Sequence, residues 1–175
     1  MNSDSYLLSI VAPIRNERNY ISELIDSFAK INDSRVELLI SDNHSDDGSL
    51  ELVNSISVKN VNIVQPESRL SPFNHHVYAI KESSGKFVYP VGGDDYISAD
   101  CIRLILKSLR PGVIVIPQLR CFDDDSGETI EVSNLETDVN TFFSEGKFNI
   151  VNYLKFINYD QLIFIVCEKS KLSHL

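Results

Sequence analysis

Asp94 and Asp95 stand side by side in the stretch Val91-Gly92-Gly93-Asp94-Asp95-Tyr96, after an apolar run and before a helix pattern. Two like charges at the end of a core strand repel each other and lose hydration unless something positive meets them. A hard divalent cation would do so. Mg2+ and Mn2+ take one or two carboxylates and complete their shells with water and phosphate oxygens. Gly92 and Gly93 would then let the backbone pass close to a ligand. The plainer alternative is a helix start carrying spare carboxylates, which the helix dipole favours by under about 1 kcal/mol.

Asp42 poses a similar choice in Ser41-Asp42-Asn43-His44-Ser45-Asp46-Asp47-Gly48-Ser49. Asp, Asn, Ser and Gly crowd turns for local reasons. A carboxylate at this place also suits a nucleobase N–H or a ribose hydroxyl. A third polar loop reads Pro13-Ile14-Arg15-Asn16-Glu17.

These loops need a scaffold that brings them together. Leu7 to Ala12 is a short apolar run that Pro13 is expected to end. Ile21, Leu24, Ile25 and Phe28 have the spacing of one helix face. Val36 to Ser41 reads as a second strand. A helix then opens at Asp47-Gly48-Ser49, with Asp47 or Ser45 as N-cap and Leu52, Val53 and Ile56 on its inner face. Val61 to Val64 is a third strand. Ser71 to Ser84 is a helix that Gly85 should end as its C′ residue. Lys86 to Val91 is a fourth strand. Ser98 caps a helix whose inner face is Ile102, Ile105, Leu106 and Leu109, and Val113 to Ile116 is a fifth strand.

This alternation predicts an α/β fold, a mostly parallel sheet with helices on both faces. A short C-terminal segment follows. It holds a hairpin around Asp125-Ser126-Gly127, an irregular stretch from Thr137 to Phe148, a helix from Phe148 to Ile157 and a strand from Gln161 to Glu168. In such a sheet, loops leaving the carboxyl ends of strands one, two and four share one edge, where ligands bind.

Composition narrows the classes. The chain has 175 residues, enough for one domain, and a net charge of −9. That charge argues against wholesale nucleic-acid binding, although phosphates can still bind through a metal or a helix N-terminus. Cys101, Cys121 and Cys167 are far apart and odd in number, as expected of reduced thiols in a cytoplasmic protein. Met1 to Tyr6 lacks the basic start of a signal peptide. No apolar run reaches the roughly 20 residues of a membrane span; peripheral membrane contact stays open. The loop after strand one contains no glycine, which excludes a dinucleotide-binding Rossmann fingerprint. An interaction domain with merely solvated acidic loops is the non-enzymatic alternative.

Taken in order, "SIVAPIRNE", "ELLISDNHSDDGSLE" and "ESSGKFVYPVGGDDYI" resemble the inverting glycosyltransferases of family 2, as found in bacterial surface-polysaccharide synthesis. The resemblance covers about residues 7 to 110. It implies a Rossmann-like GT-A sheet in a single domain over 1–175. Residues 1–110 would form a nucleotide-sugar-binding half and 111–175 a partial acceptor-side half, either truncated or reduced. It further implies transfer of a sugar, with inversion, from a nucleoside-diphosphate sugar to an acceptor hydroxyl. A UDP-sugar is the favoured donor, and the acceptor a saccharide or lipid-linked saccharide. The setting would be the cytoplasm or the inner face of the membrane. A nucleotide-sugar-binding module without turnover is the alternative.

By position, Pro13, Arg15, Asn16 and Glu17 match the nucleotide pocket, with the Arg15 guanidinium where the family often has an aromatic. Asp42 and Asn43 match the base or ribose contact. Asp94 and Asp95 match the last two acids of the D-x-D-type loop, which hold the ribose and a Mn2+ or Mg2+ on the diphosphate. Gly92 and Gly93 depart from the pattern, since many members carry another acid there. Of His75 and His76, adjacent on a helix, at most one can face the site. His76 is the one aligned with a family phosphate or ribose contact. Asp160 is the candidate base. Asp123-Asp124-Asp125 lacks the spacing of a calcium loop and reads as a solvated turn.

Overall fold

A computed structural model describes residues 6–111, 115, 121–122, 129–130, 143–144, 147–148 and 166–172. Its elements in chain order begin with β1 (Leu8–Ile14), α1 (Ile21–Ala29), β2 (Val36–Asp42), α2 (Ser49–Ser55), β3 (Val61–Val64), α3 (Pro72–Glu82), β4 (Phe87–Pro90) and α4 (Ala99–Ser108). The short strands β5 (Cys121–Phe122), β6 (Thr129–Ile130), β7 (Phe143–Ser144), β8 (Lys147–Phe148) and β9 (Cys167–Glu168) follow, then a 3-10 turn at Lys169–Leu172.

The main sheet has the order β3-β2-β1-β4-β9. The first four strands are parallel, and β9 closes the edge antiparallel to β4. The chain moves outward from β1 to β3 and then returns to place β4 on the other side of β1. The strand order therefore reverses between β1 and β4, and ligands of open α/β sheets settle in the crevice at such a point.

Alternate residues of each strand face opposite layers. Leu8, Ile10, Ala12 and Ile14 of β1 pack with Val36, Leu38 and Ile40 of β2 against Ile21, Leu24, Ile25 and Phe28 of α1, Val53 of α2, and Ile102 and Ile105 of α4. On the other layer Val11, Val88 and Cys167 meet Ala79 and Ile80 of α3, with Leu172. Helices thus cover both faces. The expected inner faces of α1 and α4 are the observed ones, and the Ser98 side chain caps α4 by accepting from the Cys101 N–H. Among the described residues no helix is long and apolar enough to cross a membrane.

Three expectations need correction. Pro13 does not end β1, which runs through Pro13 to Ile14 with Pro13 opposite Ser41. The Leu7 and Val11 carbonyls accept from Phe87 and Val91, so odd positions of β1 direct their polar groups toward β4. The β1–β4 register stops at Val11–Pro90, and Pro13 therefore lacks an N–H only where no strand would use it.

Gly85 is not the C′ residue of α3. The C-cap is Ser83, and Gly85 does not take a left-handed conformation. It is needed because a Cβ there would lie 2.4 Å from both the N and Oγ of Ser9. The stretch from Thr137 to Phe148, expected to be irregular, contains the antiparallel pair β7–β8.

Other expectations are partly covered. β5 pairs antiparallel with β6, as the hairpin reading requires. Of the fifth strand, Val113 to Ile116, only Val115 is described, bridged antiparallel to Val166. The helix from Phe148 to Ile157, the start of the last strand, Asp123 to Asp125 and Asp160 lie outside the described residues.

On the α3 face a buried carboxylate replaces apolar packing. Glu37 is fully buried and accepts from the Ser9 hydroxyl (2.5 Å), the Ser84 N–H (2.6 Å) and the Asn62 amide (2.8 Å). The Gly85 N–H in turn donates to Ser9 Oγ at 2.6 Å. Lys169 donates to the carbonyls of Lys81 and Ser83 at the end of α3. Burial lowers the pKa of its ammonium, against the pull of Glu37 and Glu82.

Adding a methyl group by Gly85→Ala would drive Cβ into the Ser9 backbone. The substitution is expected to cost about 1–3 kcal/mol or more, as overpacking does. Urea unfolding should show a lower midpoint with an unchanged slope.

Candidate functional site

The rim begins where β1 and β2 end. Their pairing continues past Ile14–Asp42, because the Asn43 N–H donates to the Ile14 carbonyl at 2.9 Å. Beyond it, side chains of the second loop take three consecutive N–H groups of the first. The Asn16 N–H donates to Ser45 Oγ (2.9 Å), Glu17 to Ser49 Oγ (2.9 Å) and Arg18 to Asp47 Oδ2 (3.1 Å). The Asn16 amide donates to Asp46 Oδ1 at 2.9 Å and accepts the Asp46 N–H at 3.0 Å. Asn16 takes a left-handed φ of 62°, which Asn tolerates better than most residues.

The expected N-cap of α2 is thereby resolved. Gly48, with φ 90°, occupies that position, while Asp47 Oδ1 accepts both the Ser49 N–H and its hydroxyl. Ser45 serves the first loop instead.

Asp42 is wholly buried at the end of β2. Its Oδ2 accepts from the Ser45 N–H at 3.2 Å and from the Gln65 amide at 2.9 Å, while Oδ1 finds no hydrogen-bond partner among the described residues. Arg15 lies across the same rim with Nη2 3.8 Å from Asp46 Oδ2, and its buried Nε also finds no partner among the described residues. Asn43 is fully engaged, since its amide exchanges two bonds with the backbone of Leu70. His44, at φ 57°, is held by a 3.0 Å contact between its ring and the Pro66 carbonyl.

Of the two helix histidines, His75 turns inward. Its Nε2 shares a 2.9 Å hydrogen bond with Ser41 Oγ, one residue before Asp42. Its pKa is pushed down to about 4, chiefly by burial and also by His76, against the opposite pull of Asp42 and Ser41. The half-buried His76 meets the Pro72 carbonyl on its own helix at 2.9 Å.

The acidic side is built by close approach. A Cβ on Gly93 would lie 2.7 Å from Glu17 Cγ and 2.9 Å from Ile14 Cγ2, so the loop after β4 rests on the loop after β1. Asp94 is exposed. Asp95 is partly buried and accepts the Gly92 N–H at 2.5 Å. Burial, followed by the Asp94 charge, raises the Asp95 pKa against that hydrogen bond. Burial, then Asp94 and Asp47, raises the Glu17 pKa.

None of the ion pairs among the described residues reaches Glu17, Asp42, Asp94 or Asp95. Adjacent oxygen donors without a protein counter-charge fit a hard divalent ion. Among the described residues no three His, Cys, Asp or Glu side chains close around one point to hold an ion unaided, so a ligand's oxygens would have to share the task.

The structure therefore brings Pro13, Arg15, Asn16, Glu17, Asp42, Asn43, Asp94 and Asp95 to one rim. It turns His75 toward the end of β2, and His76 bonds back to its own helix. Sequence reasoning missed Gln65, the Ser41–His75 pair and the clasp from Ser45 to Ser49. The Ser and Asp content of that loop was a visible signal for the clasp; nothing in the sequence pointed to Gln65.

Residues 9–168 match the family model "Glycosyl transferase family 2". The chain is similar to the poly(ribitol-phosphate) beta-N-acetylglucosaminyltransferase TarS of Staphylococcus aureus. It is 31% identical over 99 residues, which are 54% of this chain and 17% of that protein. It is equally similar to a poly(ribitol-phosphate) beta-glucosyltransferase of Bacillus spizizenii, at 31% over 100 residues, 54% of this chain and 16% of that one. The match thus spans about a sixth of the length of these relatives.

The solved TarS 1-349 in complex with UDP-GlcNAc superposes with a TM-score of 0.53 and 29% identity, over 57% of this chain and 30% of that one. A mannosyltransferase of Pyrobaculum calidifontis, solved with GDP-Man and Mn2+, shares the fold at 20% identity. Its TM-score is 0.54, over 63% of this chain and 34% of that one.

The buried His75 makes a pH prediction. In the unfolded chain a histidine titrates near 6.5; here it titrates at about 4. Between those values the unfolded state binds more protons, so stability falls as pH drops from about 6.5 to about 4, by at most about 3 kcal/mol. His75→Gln keeps a polar partner for Ser41 and removes the titration. Its unfolding free energy should vary less with pH across that window than the wild type's, as chemical denaturation at several pH values would show.

Proposed function

The chain belongs to glycosyl transferase family 2, and from that premise we propose that its rim binds a nucleoside-diphosphate sugar, with a UDP-sugar favoured. The sugar passes with inversion to a hydroxyl of a saccharide or lipid-linked saccharide. The observation that carries the reading is Asp42 Oδ1, a buried acceptor that no group among the described residues satisfies. It lies at the strand-end rim onto which Glu17, Asp94 and Asp95 also converge. Leaving such an atom unpaired is costly, and a ligand N–H would offset that cost.

In this reading Asp42 accepts from the base, and the Arg15 guanidinium stacks on its face. Pro13, Asn16 and Asn43 hold the shape of the pocket. His76, aligned with a phosphate or ribose contact in the sequence, bonds back to Pro72, and His75 is the histidine that faces the end of β2. Asp94 faces the ribose and, with Asp95, would hold Mn2+ or Mg2+ beside the diphosphate. When bound, that ion supplies Lewis acidity to the leaving phosphate. Neutralising the Glu17–Asp94–Asp95 cluster also removes the repulsion that adds to burial in raising the pKa of Glu17 and of Asp95. Asp160 is the proposed base that takes the acceptor proton.

The poly(ribitol-phosphate) enzymes among the relatives support a role in surface-polysaccharide synthesis. Such a role suits the cytoplasm or the inner face of the membrane. The Mn2+-bound mannosyltransferase, alike in fold, suits the metal reading without establishing it.

Thermal unfolding tests the donor site. UDP with Mn2+ at about a hundred times its Kd should stabilise the protein by about 2.7 kcal/mol. For a domain of this size that is a rise of about 5–10 °C in Tm. Asp94→Asn should abolish the Mn2+-dependent rise while leaving the ligand-free Tm unchanged or slightly higher, because one like charge is gone. UDP-sugar hydrolysis that disappears in Asp94→Asn would establish turnover; binding without hydrolysis would favour a donor-binding module.

A further inference from the structure

Gln65 follows β3, and its exposed side chain reaches back to a wholly buried carboxylate. Its Nε2 donates to Asp42 Oδ2 at 2.9 Å. An ionised carboxylate only accepts, so the amide must turn its NH2 group that way. The Ser45 N–H donates to the same oxygen at 3.2 Å. Two donors on Oδ2 restrain the carboxylate, and Oδ1 is left as an acceptor without a partner among the described residues. Gln65 is itself anchored, because its main-chain carbonyl accepts the Tyr78 hydroxyl at 3.0 Å.

We propose that Gln65 is a positioning residue for nucleobase choice. By engaging Oδ2 it presents Oδ1 of Asp42 to a base whose ring nitrogen carries a hydrogen, as N3 of uracil does. Cytosine offers a lone pair at that nitrogen, and two acceptors would then face each other. A site built around one hydrogen bond discriminates strongly against an analogue that lacks the matching group, because the buried partner is left unpaired. Without Gln65 the carboxylate can rotate and spend Oδ1 elsewhere, and discrimination weakens. This inference rests on the donor-site reading given above.

The test compares UDP with CDP, each with Mn2+, by titration calorimetry on the wild type, Gln65→Met and Gln65→Lys. Gln65→Met, which removes one of two donors from the buried Asp42, should lower Tm by a few degrees, and Gln65→Lys should lower it less. Wild type should prefer UDP. Gln65→Met should lower the UDP-to-CDP affinity ratio about tenfold, mainly through weaker UDP binding, and Gln65→Lys, which keeps a donor, should restore most of it. An unchanged ratio in Gln65→Met, or an equal loss for both nucleotides, overturns the positioning role while the donor site stands. If the wild type binds neither nucleotide, the donor-site reading falls and this inference falls with it.

Discussion

Three N–H groups in succession, at Asn16, Glu17 and Arg18, leave the sheet with no strand to receive them. Backbone donors that lose both water and strand partners must find others. Ser45, Ser49 and Asp47 supply those acceptors from the next loop over. Everything at the rim depends on this exchange. It sets the path of the first loop, places Glu17 where Gly93 can pack against it, and gives α2 its start through the same Asp47 and Ser49. The two loops are one structure, although about thirty positions separate them in the chain.

The electrostatics of the rim follow from that geometry. Burial raises the pKa of Glu17, and the nearby charges of Asp94 and Asp47 add to the effect. Elsewhere in the chain acids find cations, as Asp33 does in Arg35 and Asp100 in Arg103. At the rim the fold brings acids together without one, apart from the long Arg15–Asp46 contact.

Much of this could be read from the sequence, for identifiable reasons. The helix faces of α1 and α4 were legible because a 3.6-residue period repeats within ten positions. Ser98 was legible because capping is local. Asp42, Asp94 and Asp95 stood out because each sits where an apolar strand stops. What was not legible depended on partners distant in the chain. Pro13 looked like a terminator because proline usually is one; only the register with β4 shows that its missing N–H is harmless. Gly85 looked like a helix ending, whereas its real constraint is the Ser9 backbone, 76 residues away. Gln65 carries no local signal, since its meaning lies in a carboxylate on another strand.

The antiparallel bridge between Val115 and Val166 has both its bonds, at 3.0 and 2.8 Å. Two positions far apart in the chain are therefore joined directly beside β9. The entropy lost in closing a length of chain grows only as its logarithm, by about 0.6 kcal/mol for each doubling. A sequence joined through such a bridge can lengthen, shorten or be exchanged with little effect on the stability of the strands behind it.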